Sequence, residues 1–341
     1  MRLVGTCWWW RALAGIAAAA VLAGGGALSV ATLAAEPGTR VSPLKVTLAG
    51  YSPGGASAAV GQAIGKAILA EVPGSVFSYE PGMSGANEIK VSRGETTLGL
   101  SSSLLVRAAA AGTAPYATKY GNLRGIAFLH TSDVQFIFDK RSGIRSMRDL
   151  LTRPTRLATN TKNSFMELTV RAALQAAGTS YEDIERRGGK VFFTTMRAAL
   201  EQMRNRQVNV IGMATLSPTA LLIEASNTPD LGIFTLDDET IRKTNELVGS
   251  RTVVIPKDTY PFQTADLKSA GMDNILITRA ELPERTAYII TKALYNHLEA
   301  MHEVSVVLKK QMTRQNMADV GRGVTLHPGA ERFYREVGVL K

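Results

Sequence analysis

Cysteine is almost absent from the chain. The only one in 341 residues is Cys7. It stands ahead of an apolar run, not after it, so it is not placed as a lipid-attachment site. Beyond that run there is no thiol, disulfide or cysteine metal ligand. Histidine is scarce as well: His130, His297, His302 and His327. His297 and His302 are five residues apart, a spacing that shares a helix face poorly and argues against a paired metal site. Aromatic residues make up 6% of the chain, and none interleave with a basic stripe of the kind that stacks bases. The formal charge of +10 falls to +8 without Arg2 and Arg11, and the tightest basic groups, Arg186-Arg187 and Lys309-Lys310, are short. The excess therefore reads as a solvated basic surface, not a nucleic-acid interface. It would also draw in anionic solutes. No short-period repeat is present.

What is there begins with an export signal. Arg2 and Arg11 precede a charge-free apolar run from Ala12 to about Ala31, followed by Thr32-Leu33-Ala34-Ala35. A basic start, an apolar middle and a small-residue exit form a secretory signal, with cleavage expected after Ala34 or Ala35. An uncleaved anchor is the alternative, because the run approaches the ~20 residues needed to span a bilayer. Residues 1–35 are thus a signal peptide or anchor, and the rest of the chain is expected outside the cytoplasm. That remainder, about 305 residues, is long enough for about two domains.

The pattern after residue 43 alternates. Strands are expected at 44–50, 75–80 and 97–101, with helices at 58–72 and 86–91 between them. A similar unit returns with strands at 135–139, 156–159, 191–194 and 208–213, helices at 165–177 and 196–205, and a short helix from Ser146. After Gly249 the chain runs through Arg251 to Pro256, and a later strand falls at 274–278. A long helix is expected from Pro283, with Ala287, Ile290, Leu294, Leu298 and Met301 on one face. Such alternation implies mostly parallel α/β sheets. Two α/β lobes account for it better than one long sheet.

Candidate binding groups sit in polar, small-residue loops that each follow a strand, where open α/β sheets collect ligands. The first loop, Tyr51 to Ser57, offers the backbone of Gly55, Ala56 and Ser57 at a helix start, a place suited to a carboxylate or phosphate. The second holds Ser84 and Asn87, the third Ser101, Ser102 and Ser103. In the second lobe, Asn160, Asn163 and Ser164 precede a helix and Thr215 follows a strand. Any of these side chains would equally serve as a helix cap. Lys162 would add a full charge if it turned inward, although an exposed loop lysine ordinarily stays solvated. Gly55-Ala56-Ser57-Ala58-Ala59 is also one glycine short of a nucleophile elbow, which makes Ser57 a candidate hydrolase nucleophile. The scattered histidines supply that reading poorly.

The ordered motifs resemble the TAXI solute receptors of tripartite ATP-independent periplasmic (TRAP) transporters. The resemblance runs from about Leu44 to the end. It rests on Ser84-Gly85-Ala86-Asn87, Arg93 to Leu100, Leu123 to Ala127 and Ile255 to Pro261. Its most specific part is the tail, Tyr288 to Leu294 followed by Leu326-His327-Pro328-Gly329-Ala330-Glu331-Arg332-Phe333-Tyr334. It implies a type II periplasmic-binding-protein fold with a ligand cleft between two lobes, 44–130 with 275–341 as lobe I and 131–274 as lobe II. It implies a receptor, not an enzyme, with no cofactor or metal. Such a receptor carries a small organic anion, a dicarboxylate or an amino acid such as glutamate or 2-oxoglutarate, to TRAP-type membrane permease subunits. Tyr260, in the return segment, is expected near the hinge. The chain departs from the family at Ala56-Ser57-Ala58-Ala59 and at Asn160 to Ser164. The receptors of tripartite tricarboxylate transporters also have Pro-Gly-Gly loops near these places, but lack the His-Pro-Gly-Ala tail.

Overall fold

In the computed structural model of the protein, residues 42–51, 56–226 and 230–341 are described. The signal-peptide or anchor segment lies outside them. Among the described residues no helix is long and apolar enough to cross a membrane.

The first strand, β1 (Lys45–Ala49), leads into α1 (Ala56–Glu71), β2 (Val76–Glu80), α2 (Ala86–Arg93), β3 (Leu98–Ser102) and α3 (Ser103–Ala111). Val60, Ala63, Ile64, Ala67 and Ile68 of α1 are all buried, as their helical spacing requires. Gly65 lets this helix lie close on the sheet, because a methyl group there would collide with the Phe77 ring. β1 pairs in parallel with both β2 and β3.

A 17-residue strand, β4 (Leu123–Asp139), then leaves this unit. It is followed by α4 (Met147–Thr152), β5 (Arg156–Thr159), α5 (Phe165–Ala176), α6 (Tyr181–Arg186), β6 (Lys190–Phe193), α7 (Met196–Arg204) and β7 (Val210–Thr215). Next come α8 (Ala220–Ala225), β8 (Leu231–Phe234), α9 (Asp238–Val248) and β9 (Arg251–Ile255). The chain returns along β10 (Leu267–Arg279) to α10 (Glu284–Asn296), α11 (Glu299–His302), α12 (Val306–Gln311) and α13 (Pro328–Glu336).

Hydrogen bonding is continuous through the order β2-β1-β3-β10-β4-β7-β5-β6, with β8 on β4 and β9 on β10. Strands at each end are parallel, and β4 and β10 run antiparallel through the middle. The apolar interior is divided where the hydrogen bonding is not. One buried cluster draws only on residues before 130 and after 275, such as Leu48, Ile64, Ile290 and Tyr334. Another draws on residues from Val134 to Ala270, such as Phe136, Leu157, Val170 and Phe234. A third lies at the junction, where Phe165 packs with Leu104, Met272 and Ile275. The architecture is a mixed α/β sheet with two apolar halves joined by two long shared strands.

One sequence expectation changes here. The long helix from Pro283 breaks: α10 ends at Asn296 and a separate turn, α11, follows. The apolar stripe continues through Leu298 and Met301, both buried, because both pieces press on the same core; side-chain periodicity does not register a backbone break. The tail His327 is a cap. Its Nδ1 accepts the Gly329 N–H at 3.1 Å, its Nε2 lies 2.9 Å from the Leu282 carbonyl, and Pro328 takes the first position of α13, where the missing N–H costs nothing.

Candidate functional site

The parallel strands β1, β2, β5 and β7 deliver their carboxyl-end loops to one cleft of about 660 Å³. From the first half come Tyr51 and Ser57 around the start of α1, Gly82 to Ser84 before α2, and Pro115. From the second come Asn160 to Met166 around the start of α5, with Thr215 at the end of β7 and Leu216 after it. The floor is the crossing itself, His130 and Ser132 of β4 and Asn274 of β10, and Val304, Ser305 and Leu308 close one side. Alternation along β4 sends Thr131 and Asp133 the other way, into a second cavity of about 490 Å³ beside Arg251.

Six of the sequence-derived candidates line the cleft: Ser57, Ser84, Asn160, Asn163, Ser164 and Thr215. Ala56 begins α1, and Gly55 lies outside the described residues. Ser101 borders a small chamber beneath the cleft with Tyr51, Ser57, His130 and Asn274, and its hydroxyl donates to Glu88.

Four candidates are placed elsewhere. The Asn87 amide is wholly buried and donates to the Gly50 and Leu100 carbonyls at 2.9 and 3.0 Å, tying the ends of β1 and β3 together. Ser102 caps α3 through the Leu105 N–H, and Ser103 turns to the Met272 sulfur. Tyr260 is fully buried, stacks on Phe262 with centroids 5.4 Å apart, and accepts the Thr219 N–H at 3.3 Å. Each satisfies a backbone or core requirement away from the cleft lining.

His130, Ser132 and Asn274 were not among the candidates, yet they form the floor. Their sign in the sequence is polarity inside strands that otherwise read as apolar. Asn274 lies opposite His130 in the ladder, and its amide donates to the Ser132 hydroxyl at 2.9 Å. Among the described residues, the His130 Nδ1 and the Tyr51 hydroxyl are closed off from solvent and hold no hydrogen bond within 3.5 Å, with the Ser84 side chain next to the Tyr51 hydroxyl. Burial lowers the His130 pKa to about 4, so the ring is neutral near pH 7. Burial pushes the Tyr51 hydroxyl the other way, well above its ordinary value, and nearby Glu88 adds to the shift.

The cleft is otherwise nearly free of charge. Among the described lining residues, Lys162 alone carries a full charge at neutral pH. It is exposed, with its ammonium 5.5 Å from the centre of the Phe193 ring. Ser57 and His130 border the same chamber, but among the described residues no hydrogen bond joins them of the kind that activates a serine nucleophile.

Comparison with known proteins places this geometry. MatC from Rhodopseudomonas palustris, with bound malate, is similar with a TM-score of 0.52 and 13% identity, over 88% of this chain and 100% of that one. PhnD1 from Prochlorococcus marinus (MIT 9301), in complex with methylphosphonate, gives 0.51 and 12% over 87% and 98%. The periplasmic binding protein BugD gives 0.50 and 12%, also over 87% and 98%. The fold is therefore the periplasmic-binding-protein fold, two α/β halves around a ligand cleft. The NMT1-like family model matches residues 48–338, and the chain belongs to that family.

Proposed function

We propose that this protein is an extracytoplasmic solute receptor of the TAXI type, which captures a small organic anion and hands it to a TRAP-type membrane permease. The observation that carries the reading is the convergence of small polar side chains from both halves on one cleft: Ser57 and Ser84 from one, Asn160, Ser164 and Thr215 from the other. A ligand held by both would favour their closure, which expels water and strengthens each charged hydrogen bond to it. The start of α1, at Ser57, supplies N–H groups and the positive end of a 16-residue helix. Residues 44–130 with 275–341 and residues 131–274 would move as the two lobes, hinged where β4 and β10 cross. The malate and methylphosphonate of the similar structures are both small organic anions, in keeping with this reading. The apolar amino-terminal run supports export to the periplasm.

A thermal-shift screen of organic acids, amino acids and neutral sugars tests the proposal. A solute that binds only the folded protein raises its melting temperature according to its concentration over Kd. Acids should stabilise the protein, and Ser57→Ala and Asn160→Ala should each reduce the shift. Stabilisation by sugars and by no acid would overturn the anion reading.

A further inference from the structure

Three helices open at the cleft, and two arrive with their own carboxylate. In α2 the third residue is Glu88, which accepts the Gly85 N–H at 2.8 Å. Gly85 has a φ of 86°, a conformation that glycine adopts without strain. In α5 the third residue is Glu167, which accepts the Asn163 N–H at 2.8 Å and is bridged to Arg171 by bonds of 2.9 and 2.8 Å. Both carboxyl groups are wholly inaccessible to solvent. The third residue of α1 is Ala58, and no acidic residue stands in that helix's first turn. The longest of the three helices is the one that opens on the cleft without an anion.

A second observation points to the same place. The Tyr51 hydroxyl and His130 Nδ1, which hold no hydrogen bond within 3.5 Å among the described residues, border the chamber next to Ser57. Unpaired buried polar atoms are costly, and an acceptor brought in beside Ser57 would take the Tyr51 O–H. At the far side of the cleft, two groups that could meet an anion are turned to other partners. Asn163 N–H belongs to Glu167, and Lys162 lies exposed on Phe193.

We infer that the cleft is built for one carboxylate and not two, so that the ligand class is a monoanionic organic acid with an apolar or aromatic body. This rests on the receptor reading above and narrows it. The carboxylate sits at the start of α1 with the Tyr51 hydroxyl. The body lies against Phe165, Met166 and Leu308. A distal carboxylate would lose water on closure and meet no charge other than that of the exposed Lys162, a cost that a distal hydroxyl or methyl escapes.

The test is titration calorimetry with two matched series: hexanoate, 6-hydroxyhexanoate and adipate; and benzoate, 4-hydroxybenzoate and terephthalate. In at least one series the monoacids should bind at least about tenfold more tightly than the diacid. Ala58→Glu, which gives α1 the carboxylate its neighbours have, should abolish binding while leaving the circular dichroism spectrum and melting temperature of the free protein intact. Diacids that bind as tightly as their monoacid partners in both series overturn the inference and leave the receptor reading standing. Ala58→Glu with wild-type affinity overturns the assigned seat. If no acid of either series binds, both readings fall.

Discussion

The rings of Tyr51 and Phe165 meet across the cleft, their centroids 6.3 Å apart and their planes inclined at 37°. Tyr51 follows β1 in one half, and Phe165 opens α5 in the other. Phe165 is 5% exposed and belongs to the apolar cluster at the junction, so it couples the halves as well as lining the site.

Phe165→Ala should therefore cost about 3 kcal/mol of stability in urea denaturation. Phe165→Leu, which keeps most of the buried volume, should cost under about 1.5 kcal/mol. Equal losses would show that the volume it buries at the junction is not what Phe165 contributes.

His130 gives a pH signature. Its folded pKa of about 4 lies below the unfolded value near 6.5. Between these values the unfolded chain takes up a proton that the folded ring refuses, so this residue lowers stability as pH falls from about 6.5 to 4. Relative to wild type, His130→Gln should gain up to about 1.4 kcal/mol per pH unit across that window. Denaturation midpoints at pH 7, 6 and 5 would show it; parallel curves would contradict it.

Asp133, three residues along β4, has the opposite slope. Burial raises its pKa to about 7, partly offset by a hydrogen bond from Ser217. The folded protein holds a proton there that the unfolded chain releases above about pH 4. Wild-type stability then falls as pH rises toward 7. Asp133→Asn should be increasingly favoured over wild type between pH 4 and 7, with the difference level above that. A difference independent of pH in the same denaturation series would contradict the assignment.

Glu167→Gln should weaken the pairing with Arg171, which is itself 37% exposed and free to hydrate. The expected cost is about 1–3 kcal/mol. The same change removes the anion from the start of α5, so the affinity for adipate relative to hexanoate should rise. An unchanged ratio in calorimetry would mean that the α5 start does not face the ligand.

The regular elements of the outer sheets were legible in the sequence because their periodicity answers to burial on one face. β1, α1, β2, β5 and α5 all fall within a few residues of their expected limits. The crossing strands were read short. β4 was expected only from Gln135 and β10 only from Asn274, because His130, Ser132, Asp133, Gly271 and Asp273 interrupt the apolar pattern. Of those interruptions, His130 and Ser132 belong to the floor of the cleft and Asp133 to the wall of the cavity behind it. Asn87 and Tyr260 were misplaced for the converse reason. Loop asparagines and tyrosines bind ligands and staple backbones with the same atoms, and only the three-dimensional neighbours, Gly50, Leu100 and Thr219, show which.

The central claim is that a small acid is held between the halves with its carboxylate at the start of α1. A crystal structure with the tightest-binding acid of the screen tests it most directly. The account predicts a carboxylate oxygen within hydrogen-bond distance of a first-turn N–H of α1 and of the Tyr51 hydroxyl, with the body against Phe165. A ligand seated in the cavity beside Asp133 and Arg251, or with its carboxylate on Lys162 and away from Ser57, would contradict it.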